Sequence, residues 1–270
     1  MAEHWSYGIK QKAGSVILAG AGPGDLDLIT VRLSKALQHA EVIITDRLVN
    51  PVIIQTYASK HALILFAGKQ GYNEASSSME EINELMTKYA LQGNRVLRLK
   101  GGDVAFFSNV LDELQNLVEK KIPFEIIPGI TAAAGASAYA GIPLTARGYA
   151  QGVQFLTYYR NNQFTSDKWK QLAATTDTLV FYMSANHAID IAQQLLNYGA
   201  SGNIPLAIIE QATSPHQQVY ITCLMDCKED FSDRSFRSPS LVIIGKVVEL
   251  HASFNWFKSM EVGTVFKELI

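Results

Sequence analysis

Arg98-Leu-Lys-Gly-Gly-Asp103 closes the short apolar run Arg95–Leu99, and its reading decides the fold. Adjacent Gly101 and Gly102 carry no Cβ, so the backbone there turns sharply and lets a ligand approach closely. Asp103 sets a carboxylate acceptor beside backbone amides. A turn of this kind at the C-terminal end of a buried strand lies where open α/β sheets bind small molecules. Two glycines alone read equally well as a plain strand-to-helix turn. Four further loops of the same kind tip the balance.

Upstream, Ser15–Ala19 is an apolar run, β-branched at Val16 and Ile17, that reads as a buried strand. It breaks into Gly20-Ala-Gly-Pro-Gly-Asp25, and a helical pattern follows with Leu33, Ala36, Leu37 and Ala40 on one face. Glu41–Asp46 predicts a second strand ending in a carboxylate, Pro51–Ser59 a short helix, and Ala62–Phe66 a third strand running into Gly68-Lys69. Ser78 and Glu81 make a capping box for a helix that Gly93 ends. Beyond the Lys-Gly-Gly-Asp turn come a helix near Leu111–Lys120, a fifth strand at Phe124–Ile127, and Pro128-Gly-Ile-Thr131 before a small-residue helix to Ala140. Strand alternates with helix throughout, which predicts a mainly parallel sheet with helices on both faces. The loops at Gly20–Asp25, Asp46, Lys69, Gly101–Asp103 and Pro128–Thr131 all follow strands and therefore share one sheet edge. That convergence is the functional signal.

A nicotinamide-dependent dehydrogenase is the obvious rival, since Gly20 and Gly22 begin a dinucleotide fingerprint and Asp46 stands about where an acid would hold a ribose. Asp25, however, occupies the third glycine position, and Pro23 removes a backbone donor that a pyrophosphate would use. A phosphate at this helix start would also meet the Asp25 charge. The rival is the weaker reading.

The 270 residues, 48% of them hydrophobic, fit one large or two medium domains. A formal charge of -2 argues against nonspecific nucleic-acid binding and leaves room for a local basic pocket. Cys223 and Cys227 are too few for a disulfide framework or a zinc site and read as thiols in reducing cytoplasm. Met1–Lys12 lacks an apolar signal core, and no run is long enough to span a bilayer, so a cytoplasmic protein with a short N-terminal extension is expected.

In the second half, Gly141, Pro143 and Gly148 interrupt periodicity and suggest a crossing between domains. Expected boundaries are an extension 1–14, domains 15–146 and 147–257, and a tail 258–270. Val153–Tyr159, Thr178–Met183, Pro205–Gln211, Gln217–Cys223 and Ser240–Val248 read as strands of a partly antiparallel sheet, with a helix at Asn186–Tyr198. Tyr182 and Met183, at a strand end, are candidates for the far wall of a cleft.

These residues together resemble the tetrapyrrole methylase family, and within it the uroporphyrinogen-III C-methyltransferases and the methylase module of siroheme synthases. The resemblance runs from about Gly14 to Phe257. It rests on GAGPGD at Gly20–Asp25, TDRLV at Thr45–Val49, Gly68-Lys69, EEIN at Glu80–Asn83 and RLKGGD at Arg98–Asp103. PGITAA at Pro128–Ala133, AYAGIPLT at Ala138–Thr145, TLVFYM at Thr178–Met183, SPSLVIIG at Ser238–Gly245 and NWF at Asn255–Phe257 complete it.

The resemblance implies two α/β domains, a mainly parallel N-terminal sheet and a mixed C-terminal one, with a ligand cleft between them. It further implies an S-adenosylmethionine-dependent enzyme, usually a homodimer, that methylates uroporphyrinogen III to precorrin-2 and releases S-adenosylhomocysteine. Carried over by position, Pro23, Gly101, Gly102, Asp103, Phe106, Thr131, Ala132, Met183 and Ala212 would hold the methyl donor. Asp46 would accept a proton and Lys69 would donate one. The acceptor carries many carboxylates, which calls for a basic rim; Arg47, Lys69, Arg98, Lys100 and Arg147 are the candidates. No metal, nucleic acid or membrane is implied.

The sequence departs from the family where Val104–Glu113 replaces Pro-Phe-x-Phe-Gly-Arg-Gly-Gly-Glu-Glu, so that Asn109 stands for an arginine. Gln70, Ala146 and Tyr159 likewise replace basic or imidazole-bearing residues, Tyr158 a glycine, Phe106 an aliphatic residue, and Ala212 a glycine. The alternative is a paralogue that binds S-adenosylmethionine but acts on another tetrapyrrole or turns over little.

Overall fold

Strands β1 (Ser15–Gly20), β2 (Val42–Thr45), β3 (Leu63–Phe66), β4 (Arg95–Lys100) and β5 (Phe124–Ile127) form one sheet in the order β3-β2-β4-β1-β5, every neighbour parallel. The computed structural model describes residues 14–67, 79–159, 164–260 and 263–266. All but Gly14 of the expected N-terminal extension, Gly68, Lys69, Gln70, the Ser78 cap and part of the C-terminal tail lie outside the described residues. Contacts divide the chain into two units, one made of residues up to Ile130 with Phe266, the other of Thr131–Val265.

In the first unit both sheet faces are apolar, as a parallel sheet under helices requires. Ile17, Ala19, Ile43, Leu97 and Leu99 face helices α1 (Val31–His39) and α2 (Pro51–Tyr57), through Leu33, Leu37, Ile53 and Ile54. Val16, Leu18, Val42, Ile44 and Val96 face α3 (Met79–Leu91) and α4 (Val110–Glu119), through Ile82, Met86 and Leu117. Local chemistry sets the helix starts. Thr30 Oγ1 accepts from Leu33 N, and Asn50 Oδ1 accepts from Val52 N just ahead of Pro51.

The change of helix face follows from strand order. The chain steps outward from β1 to β2 and β3, then returns across the sheet to β4 and β5. β1 and β4 thus become neighbours although far apart in sequence, and the loops leaving them emerge side by side. This is the topological switch point, where open sheets bind ligands.

The second unit has the strand order β6-β7-β10-β8-β9, with β6 (Val153–Thr157) and β7 (Thr178–Tyr182) parallel. The pairs of β10 (Ser240–Ile244) with β7 and β8 (Pro205–Glu210), and of β8 with β9 (Gln218–Cys223), are antiparallel. Residues alternate strictly between faces. Phe181, Leu206, Ile208 and Val242 pack with α6 (Ser166–Ala174), α7 (Ala188–Asn197) and α8 (Cys227–Phe231). Val180, Tyr182, Ala207, Ile209 and Ile243 pack with the small residues of α5 (Ala132–Ala140).

Three differences from the sequence reading have physical causes. The division falls at Ile130/Thr131, whereas sequence placed it at Ala146/Arg147; α5 belongs to the second unit because Ala133, Ala136 and Ala140 are buried in that core. The run Ser240–Val248 is a strand only to Ile244. Its partner β8 begins at Pro205, whose carbonyl takes the Gly245 amide, and Val247 and Val248 reach the core from a 3-10 turn instead. Helix α6, which the sequence reading lacked, starts at Thr165, whose hydroxyl accepts from Lys168 N, and buries Trp169 and Leu172.

Candidate functional site

Three backbone turns meet at the C-terminal edge of the parallel sheet. Gly22 and Gly102 exchange both backbone hydrogen bonds, Gly22 N to Gly102 O at 3.0 Å and Gly102 N to Gly22 O at 2.8 Å. Each sits at positive φ, 78° and 68°, where a side chain is strained. A Cβ on Gly20 would lie 2.5 Å from Gly102 O and 2.8 Å from Gly129 N. The loops after β1, β4 and β5 are therefore packed backbone on backbone. Asn50 adds a fourth tether, its Nδ2 donating to Gly24 O at 2.9 Å.

Asp103 is the clasp of this junction. It is buried, and Oδ1 accepts from Ala105 N at 2.8 Å while Oδ2 accepts from Gly129 N at 2.6 Å. The sequence reading gave this carboxylate to the methyl donor; within the protein each of its oxygens holds one backbone amide of the turn. Asp103→Ala is expected to cost about 1.5–3 kcal/mol for each charge-assisted bond lost. Asp103→Asn, which keeps one acceptor, should cost less. Thermal melting of the two variants checks the order.

Asp46, one residue past β2, is the partly exposed end of a buried charge network. Its Oδ1 accepts from Arg98 Nη2 at 2.7 Å; among the described residues Oδ2 takes no hydrogen bond. Arg98 Nε donates to Glu113 Oε1 at 2.7 Å, and Lys100 Nζ donates to Glu113 Oε2 at 2.6 Å. Arg98, Lys100 and Glu113 are all buried. Burial opposes the charge on Arg98, but Asp46 and Glu113 outweigh it and hold its pKa above the ordinary value. Burial, then the charge of Arg98, pull Lys100 below its ordinary value against the attraction of Glu113.

Arg98 and Lys100 were expected on a basic rim open to a polyanionic substrate. Alternation along β4 instead turns both inward, on the same face as Val96. They are sealed against Glu113 of α4, which leaves Arg47 and the exposed Arg147 as the described candidates for a rim. Arg47 is half-buried; burial lowers its pKa and the neighbouring Asp46 opposes that. Glu113 itself was missed as a site residue. The available signal was the pair of cations two apart in a buried strand, which demands a buried anion.

Around the junction, Pro23 is buried, Gly101 is pressed against Leu48, and Phe106 is exposed. In the second unit, Met183 follows β7 with φ 55° and an exposed side chain. Tyr159 Oη donates to its sulfur at 3.3 Å. Ala212 follows β8 and is buried between Gln211 and Thr213, both at positive φ. β7 and β8 run the same way on either side of β10, so Met183 and Ala212 share an edge of that sheet. Thr131 Oγ1 bonds Tyr182 Oη at 2.6 Å rather than capping α5, and the Ala133 amide donates to the same phenol at 3.2 Å. Lys69 lies outside the described residues.

Elsewhere, Cys227 is buried, and burial, with Asp230 and Cys223 nearby, pushes its thiol pKa up to about 12, which makes it a poor nucleophile. No helix among the described residues is long and apolar enough to cross a membrane.

The profile of the family described as Tetrapyrrole (Corrin/Porphyrin) Methylases matches residues 15–227. Siroheme synthase 2 of Aeromonas hydrophila is 43% identical over 97% of this chain and 55% of its own length. The siroheme synthase of Thioalkalivibrio sulfidiphilus is 41% identical over 92% of this chain and 50% of its own. The chain thus spans about half the length of the curated relatives it matches. Among solved structures, a uroporphyrin-III C-methyl transferase from Thermus thermophilus, complexed with S-adenosyl homocysteine, superposes with TM-score 0.74 at 30% identity. That match covers 88% of this chain and all of the other. A cobalt precorrin-4 methyltransferase gives TM-score 0.77 at 26% identity, covering 87% and 95%. With its two sheets, its glycine junction and these matches, the chain belongs to the tetrapyrrole methylases.

Proposed function

We propose that this chain is an S-adenosylmethionine-dependent C-methyltransferase that converts uroporphyrinogen III to precorrin-2. The observation that carries the reading is the junction of Gly20, Gly22, Gly102 and Gly129 at the switch point of a parallel sheet, with Asp46 beside it on the same edge. Adenosylmethionine supplies an already activated methyl group, so the protein's task is alignment rather than acid activation. The residues fit such a donor. Gly101, Gly102 and Asp103 offer turned backbone, Phe106 an exposed aromatic face, Thr131 and Ala132 the start of a helix, and Met183 an exposed thioether.

The ring carbon that receives the methyl group must then lose a proton. Asp46 is proposed to take it through Oδ2, while Arg98 holds Oδ1 and so fixes the carboxylate's orientation. Arg47 and Arg147 are proposed to meet substrate carboxylates, and Lys69 to donate a proton. Pro23 and Ala212 complete the donor-binding set by position. The homodimer and the cytoplasmic setting implied by the resemblance belong to this proposal as well.

Titration calorimetry is expected to show S-adenosylmethionine and S-adenosylhomocysteine binding, and no binding of NAD. Incubation with freshly generated uroporphyrinogen III and donor should give the absorbance of precorrin-2. NAD binding without donor binding would falsify the assignment.

A second reading, another tetrapyrrole acceptor, is favoured by one feature. Asn109 stands where the family has an arginine and takes a left-handed conformation (φ 53°) at the start of α4, without a side-chain cap. Donor binding with no methylation of uroporphyrinogen III would select it.

A further inference from the structure

We propose that Glu113 is a positioning residue for proton removal, acting on Asp46 through Arg98; the role rests on the proposed use of Asp46 as proton acceptor. Glu113 has no exposed surface and sits on α4, whereas Asp46 lies beyond β2. The two carboxylates meet through one guanidinium, with Nε on Glu113 and Nη2 on Asp46, both at 2.7 Å. A guanidinium is planar and rigid, so holding Nε fixes the direction in which Nη2 points. The orientation of Asp46 is therefore set from α4, the helix packed on the sheet face that Arg98 shares with Val96. Two weak bonds, from Arg98 Nη1 to Ile44 O and Leu99 O at 3.4 Å, complete the guanidinium's surroundings.

The second oxygen of Glu113 is what makes the arrangement stable. Lys100 occupies it at 2.6 Å, so the buried group contains two cations and two anions. A buried charge with its partner removed is costly, and the group holds together only when each member is matched. A purely structural role for Glu113 would predict losses of stability with no special link to Asp46. A positioning role predicts that link.

The test compares Glu113→Gln, Asp46→Asn and the two combined, measuring kcat and KM for uroporphyrinogen III, donor Kd and melting temperature. Glu113→Gln is expected to lower kcat by roughly ten- to a hundredfold through a misaligned carboxylate, with KM and donor Kd unchanged. In the Asp46→Asn background the same substitution should cost nothing further, because the two losses share one path. If Glu113→Gln folds poorly, Glu113→Gln with Lys100→Met removes the unmatched cation while Gln Oε1 still accepts from Arg98. That pair should regain the fold and part of kcat. Full turnover in Glu113→Gln, or losses that multiply with those of Asp46→Asn, would overturn the positioning role. Full turnover in Asp46→Asn would instead overturn the proton-acceptor reading itself.

Discussion

Asp46→Asn is expected to lower methyl transfer by roughly 10²–10⁴-fold, the usual cost of losing a general base. The geometry should survive, because an asparagine oxygen still accepts from Arg98 Nη2 where Asp46 Oδ1 does now. What disappears is the capacity to take a proton at neutral pH. Donor affinity should therefore stay close to that of the unaltered protein, and the effect should fall on kcat. The amide also leaves Arg98 and Lys100 facing one anion, Glu113, so melting temperature should drop somewhat as well. Steady-state turnover with calorimetry on the same preparation separates these effects. An unchanged kcat would reduce Asp46 to a turn residue that anchors Arg98.

Gly129→Ala should be severely damaging to the glycine junction of the first unit. A Cβ there would lie 2.2 Å from Gly102 O and 2.8 Å from both C and O of Gly20. All three atoms are backbone, so no side chain can swing aside. Gly129 is not at positive φ, and the cost is therefore contact alone. Overpacking in rigid surroundings typically costs about 1–3 kcal/mol, and here the upper end or more is expected. The turns after β1 and β4 would have to part, and the Gly129 amide would leave Asp103 Oδ2. Urea unfolding should show a lower midpoint, and donor binding should weaken with it. A variant of normal stability and affinity would show that the junction yields more easily than its contacts indicate.

Much of this architecture was legible in the chain. Short apolar runs with β-branched residues marked the ten strands of the described residues, and in β1, β2, β4, β7, β8 and β10 those runs are buried. The shared edge followed from strand–helix alternation, and the structure brings the loops at Gly20–Asp25, Gly101–Asp103 and Gly129 into direct contact. Side-chain destinations were harder. Arg98 and Lys100 read as surface charges because the partner that buries them, Glu113, lies on a different element with no local signal linking it to β4. The clasp that Asp103 makes was not legible because the amide it holds, Gly129, is distant in sequence. The division at Ile130 escaped notice because the glycines and prolines after Ala140 are conspicuous. α5, an almost featureless run of alanines, shows its allegiance only through what it packs against.

The adjacency of β1 and β4 also has a kinetic side. Among the described strands of its sheet β1 is synthesised first, yet its neighbours there are β4 and β5, which come last in that unit. β2 and β3 can pair as soon as they emerge, being close in sequence as well as in space. Ser15–Gly20 must wait, an apolar segment without a hydrogen-bonded partner, until Arg95–Lys100 arrives to complete the ladder. Long-range closures of this kind slow folding and leave strand edges exposed during translation. The order that places two glycine turns side by side in the finished fold is thus one that leaves the nascent chain open to misassociation.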